Sequence, residues 1–264
     1  MSLTGKTLAS TYKSILRVND NTNGVDATVE NITDGEGTAS AIYLSDDSLL
    51  IKPQNDDNTG VLGVKDKDNN ILFVVDSTND VVKLGIGQHY ANTAIKDFYL
   101  NSGGAFPSAG NTWTAMGQGS GGRTMTSAEL TMGTGTDPAT SYTISTTADD
   151  MVNAFWYVPF NITIDSVRVW WGADAASGDA VQFKIMGYDV DTSNSTTGGD
   201  LTNGTLHCSS SAAIAGLGYE QAYTSTLTID RGAVDSGQML GAFFMQDGTN
   251  ADLAAQLQII YHLR

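Results

Sequence analysis

Residues 61–87 read VLGVKDKDNNILFVVDSTNDVVKLGIG. Three short apolar runs are cut apart by DKDNN and DSTND, with Asp66 and Asp76 ten residues apart and Asn70 and Asp80 likewise. Each run is too short for an ordinary helix and too apolar to lie bare in water. The same beat extends upstream through AIYL (41–44) and LLIK (49–52), giving one strand and one turn per unit. Strands of this length do not make a stable sheet alone. They need cover, either from other strands of the chain or from the same strands of neighbouring copies. Regular turns with no helix between them suit an elongated shaft or a β-prism, and suit a compact α/β domain badly.

Composition agrees with an all-β chain. Charged residues are 16% of the 264, well below the usual quarter, so polarity comes from Ser, Thr, Asn and Gly. Of the 29 acidic residues only Glu30, Glu36, Glu129 and Glu220 are glutamates. Aspartate suits turns, whereas glutamate suits helices. The net charge of −16 opposes binding to phosphate backbones and to anionic membranes, so no nucleic acid is expected as a partner. Cys208 is the sole cysteine, which excludes an intrachain disulfide. The start, MSLTGKTLASTYKS, lacks the apolar core of a signal peptide, and no run approaches the length of a membrane span. The expectation is a protein made in a cytoplasm, not exported by the usual route and not inserted in a membrane.

Four zones follow. Residues 1–20 form a locally basic start with Lys6, Lys13 and Arg17. Leu8, Tyr12, Ile15 and Leu16 have roughly helical spacing, so a short amphipathic helix ending near Val18 is expected, either as a frayed terminus or as an anchor. Residues 21–100 are the short-strand module. Residues 101–136 are rich in Gly and Ser and read as a linker. Residues 137–264 read as a jelly-roll-like β-sandwich, with strands predicted at 141–146, 153–159, 166–172, 181–189, 205–210, 223–230, 239–246 and 255–263. Several alternate, as in Val167, Val169 and Trp171 or Leu257, Ile259 and Tyr261. An immunoglobulin-like sandwich without its cysteine pair is the alternative.

Chemistry is sparse in this pattern. His89, His207 and His262 are not at ligand spacing, and His207 and Cys208 face opposite sides of a strand, which argues against a nucleophilic dyad. The neighbouring pairs Asp46-Asp47, Asp56-Asp57 and Asp149-Asp150 do not make the facing carboxylates of a glycosidase. Residues 19–30 have EF-hand spacing of oxygens, but Asn19 replaces the first Asp and no helix follows Glu30, so a plain turn is the expectation. Asp189, Asp191 and Asp200 border a long loop and are the candidate ligands for a weakly bound Ca²⁺. No other cofactor is expected. Trp170-Trp171 should place one ring in the core and one outside, and Trp156-Tyr157 repeats the arrangement. An exposed aromatic on a β surface stacks on a sugar or buries in a subunit interface, so Trp156, Trp170, Trp171 and Tyr188 are the candidate ligand or interface aromatics.

Residues 4–57, TGKTLASTYKSILRVNDNTNGVDATVENITDGEGTASAIYLSDDSLLIKPQNDD, resemble a leading module of virion structural and fibre proteins of tailed phages, especially marine ones. ILFVVDSTNDVVKLGIG resembles the strand–turn repeats of phage fibre shafts, and the C-terminal half looks like the β-sandwich heads such proteins carry. The resemblance implies a homotrimeric fibre or spike in the virion, not an enzyme. Lys6, Tyr12, Lys13 and Arg17 would then anchor it to another virion protein, and the head would meet a host surface glycan or protein. A trimeric capsid decoration protein is the alternative mount. A polysaccharide depolymerase and a secreted carbohydrate-binding module are the rivals from other classes.

Overall fold

A computed structural model describes residues 15–20, 22–87, 89–101, 111–118, 130–143, 153–174, 180–193, 200–210, 221–246 and 252–264. The chain is all-β and divides into two compact units, residues 1–92 and 93–264.

The first unit holds two four-stranded antiparallel sheets. One is built from β1 (Arg17–Val18), β2 (Glu30–Thr33), β3 (Ala39–Leu44) and β4 (Leu49–Ile51) in that order. Arg17 and Val18, at the end of the segment expected to be helical, are therefore extended and paired with Thr33 and Ile32. The other sheet is β5 (Leu62–Lys65), β6 (Ile71–Asp76), β7 (Val81–Leu84) and β8 (His89–Tyr90), again in chain order. Its first two turns explain the ten-residue beat. Asp66 opens the β5–β6 turn, and its carboxylate accepts from the backbone N–H of Asp68 and of Asn70 and from the Asn70 amide, each at 2.9 Å. Asp76 opens the β6–β7 turn and accepts from Asn79 and from Lys83 Nζ at 3.0 Å. Asn69 and Asp80 take the left-handed conformation each turn requires, with φ of 67° and 56°.

The second unit is one ten-stranded antiparallel sheet that curls on itself. It comprises β9 (Thr93–Asn101), β10 (Thr114–Ala115), β11 (Phe155–Tyr157), β12 (Ile162–Asp174), β13 (Val181–Asp191), β14 (Asp200–Ser209), β15 (Gln221–Ile229), β16 (Ala233–Val234), β17 (Met239–Gln246) and β18 (Asp252–Leu263). The order is β10-β17-β13-β14-β15-β12-β18-β9, with β11 on β17 and β16 on β12. The two halves join where Cys208 and Ser209 pair with Ile229 and Thr228, and the outer ends of the strand order meet at a bridge between Tyr99 and Gly117. They then fold toward each other, so that Val167, Val169, Trp171, Leu257 and Ile259 meet Val181, Phe183, Ile185, Ala242 and Phe244 in one core. Trp171 lies 5.4 Å from Phe183 and stacks on Tyr223 at 5.3 Å.

The outer faces of the two halves differ. The β13–β17 half is covered a second time by residues 111–118 and 130–143. There Trp113, Leu130 and Met132 pack with Phe155, Met186, Tyr188 and Phe243. That double burial explains the nearly continuous apolar run MLGAFFMQ in β17. The β15-β12-β18-β9 half keeps its outer face in water, and its strands alternate accordingly.

Candidate functional site

The wet face of the second unit is a lattice set by strand register. Side chains directly opposite one another share a face, so two rows cross four strands. One row runs Thr224, Trp170, Gln256, Tyr99, and the next runs Thr226, Arg168, Gln258, Asp97. At the usual strand spacing the four strands span about 14 Å. A depression of about 540 Å³ lies over this lattice, lined by Arg168, Trp170, Thr224, Thr226, Gln256 and Gln258. That volume falls within the range of small-ligand sites.

Trp170 is the exception to the polar pattern. Its neighbours Val169 and Trp171 are buried, while its own side chain is 53% exposed. Beside it, the next row holds Gly172 between Ala222 and Ala254, so these three described residues place no large side chain against that flank of the indole. Nothing in the backbone demands glycine at 172. Its φ lies outside the left-handed range, and an added Cβ would meet nothing nearer than the Gln221 carbonyl oxygen at 3.8 Å. On the other side the polar groups are held. Gln256 and Gln258 both donate from Nε2 to Asp97 Oδ1, at 3.1 and 3.0 Å. Each amide keeps a second N–H and its carbonyl oxygen for another partner.

The other sequence candidates fall elsewhere. Trp171 and Tyr188 are fully buried and serve the core, not a ligand surface. The Tyr188 hydroxyl donates to the Ala139 carbonyl at 2.9 Å, and burial pushes its pKa up. Tyr188 sits under residues 130–143, a covering segment whose apolar residues stand singly in the sequence. Trp156 is half-buried against Tyr261 at 5.2 Å, with Lys96 Nζ 5.8 Å from its ring centre. Asp189 accepts from Asn203 and from Gln238, both at 3.1 Å, and Asp191 accepts from Ser193. Asp191 pairs with Asp200 across β13 and β14. The loop 194–199 between them lies outside the described residues, as do Lys6, Tyr12 and Lys13. Among the described residues no three His, Cys, Asp or Glu side chains converge as metal ligands. In the 19–30 segment, the Asp20 carboxylate is taken by the N–H groups of Thr22 and Asn23, the bonding of a plain turn. Burial pushes the Cys208 thiol up to about 12, so it is not a thiolate at neutral pH.

A second exposed surface lies in the first unit. Register puts Leu62, Val75 and Val82 in one row of the β5–β8 sheet and Val64, Phe73 and Leu84 in the next, all on one face. Leu62, Val64 and Leu84 are 41%, 49% and 44% exposed. The opposite face carries buried Val74, exposed Leu72 and Asp76 paired with Lys83, whose ammonium lies 5.7 Å from the Tyr90 ring centre. The sequence announced the apolar runs, but only the register shows that six of these residues share one open face.

No helix among the described residues is long and apolar enough to cross a membrane. No family model matches this chain, and no curated protein matches its sequence.

Proposed function

We propose that this chain is a bacteriophage virion structural protein, a homotrimeric fibre or spike. Its N-terminal part mounts on another virion protein, the short strands of the first unit, up to residue 92, form a shaft or β-prism module, and the second unit, residues 93–264, forms a jelly-roll-like head that points outward to a host surface. The observation that carries this reading is the open apolar face of the β5–β8 sheet. Six apolar side chains in two rows, half of them substantially exposed, make a patch of the kind a soluble monomer rarely leaves in water. Three copies arranged about an axis bury that face against its own equivalents, while the Asp66 and Asp76 turns stay on the wet side. The fold of the second unit supports the head assignment, because the two halves of its sheet face each other across one core as in a sandwich.

The test is immunogold electron microscopy of phage particles with an antibody raised against residues 93–264. Label on fibres or spikes at the tail is the expected result. Label spread over the capsid would move the mount to a decoration protein, and particles without label would overturn the virion reading.

A further inference from the structure

We propose that the outer face of β15-β12-β18-β9 is a carbohydrate-binding platform for a neutral oligosaccharide, with Trp170 stacking on one sugar ring. The charge of the patch selects this ligand. Among the described side chains of the two rows, Arg168 and Asp97 are the ionised groups and offset each other, on a chain whose net charge is −16. A neutral patch on an acidic protein offers nothing to a phosphate backbone or an anionic lipid surface. Its side chains are an exposed indole, two amides, a guanidinium and two threonine hydroxyls. This is the mixture that fits a ligand with one apolar ring face and a rim of hydroxyls. The two amides are fixed in advance by their shared bond to Asp97, so little rotamer freedom is lost on binding. The open flank over Gly172, Ala222 and Ala254 is where a ring would lie against the indole. The span of the four strands accommodates more than one linked sugar. An interface between copies is the competing occupant, but that role is better served by the apolar rows of the first unit than by a hydrated polar lattice.

The inference deepens the receptor-binding reading and rests on it only for the source of the glycan. The experiment uses the full chain on a printed panel of neutral glucose-, galactose-, mannose- and N-acetylglucosamine-based oligosaccharides, with hexagalacturonate alongside. Positives are followed by calorimetry and native mass. Binding of at least one neutral oligosaccharide is expected, weakened about tenfold by Trp170→Ala. Gly172→Leu, which fills the flank without a steric clash at its Cβ, should abolish binding with the fold intact. Tyr157→Ala, an exposed aromatic off this face, should leave it unchanged. Absence of binding across the neutral panel, binding confined to hexagalacturonate, or binding indifferent to Trp170 and Gly172 would each overturn the proposal. So would a Trp170→Ala chain whose native mass drops, since the face would then be an interface between copies. Saccharide binding by a monomer would uphold this site and sink the trimer, and a trimer that binds no saccharide would do the reverse.

Discussion

His207 should make the second unit sensitive to mild acid. Its side chain is 1% exposed; Nδ1 donates to the Arg231 carbonyl at 2.8 Å, and Nε2 is buried with no partner among the described residues. The ring also lies against Gly187, where even a Cβ would come within 2.5 Å of Nε2. Burial, opposed in part by the Arg231 carbonyl, lowers its pKa from the ordinary 6.5. The unfolded chain therefore takes up a proton below pH 6.5 that the folded chain refuses. Stability is full above that pH and is lost as pH falls toward the depressed folded value. Were the folded ring never protonated, the loss between pH 7 and pH 5 would be about 2 kcal/mol, which is its ceiling. Most carboxylates stay ionised in both states over that window. All four tryptophans, at 113, 156, 170 and 171, lie in this unit, so their fluorescence reports its unfolding alone. Urea midpoints should be lower at pH 5 than at pH 7 for the wild type, by at most about 1 M. The difference should shrink in His207→Asn, whose amide can still donate to Arg231. The other two histidines are common to both chains and cancel. Equal pH dependence in the two chains would refute the reasoning.

Three further outcomes follow from the same structure. Gly204→Ala should destabilise the second unit by about 1–3 kcal/mol in urea unfolding, because its Cβ would lie 2.6 Å from Thr140 Cα and 2.8 Å from the Tyr188 ring. The Asp66 and Asp76 carboxylates are held below the usual 3.8, chiefly by the Asn70 and Asn79 side-chain amides. Their stabilisation is present above pH 3.8 and lost as pH falls through the depressed values, so circular dichroism of Asp66→Asn/Asp76→Asn should show a weaker acid transition in the first unit. Val64→Asp with Leu84→Asp should reduce the assembled protein to single chains by native mass, since each covered side chain of this size contributes about 1.5–3 kcal/mol.

Much of the fold was written in local pattern. The runs at 41–44, 49–52, 61–64, 71–75 and 81–86 coincide with β3 to β7, because Asp and Asn turn chemistry marks their ends. The alternation at 166–172 and 255–263 marks β12 and β18, where only one face is buried. Parity alone sends Trp171 inward and Trp170 outward. Other features depended on pairing across long sequence separations. Residues 93–100 fall inside the zone that the sequence assigns to the short-strand module, yet β9 pairs with β18 along its whole length and belongs to the second unit. Strand β10 lies inside the Gly- and Ser-rich stretch, where Trp113 and Met116 are isolated apolar residues with no period to reveal them. The Trp170 platform was half legible. Its aromatic stood out in the sequence, but Asp97, Arg168, Thr224, Gln256 and Gln258 become neighbours only through register. Tyr188 misled because its strand alternates as if one side were wet, whereas residues 130–143 cover that side.

The central claim is that the apolar rows of the β5–β8 sheet are buried between copies of this chain. Native mass spectrometry of the purified full chain at micromolar concentration tests it most directly. The expected species is a trimer, at three times 27.8 kDa. A stable species at 27.8 kDa would contradict it, for those rows would then stand open to water with nothing to cover them.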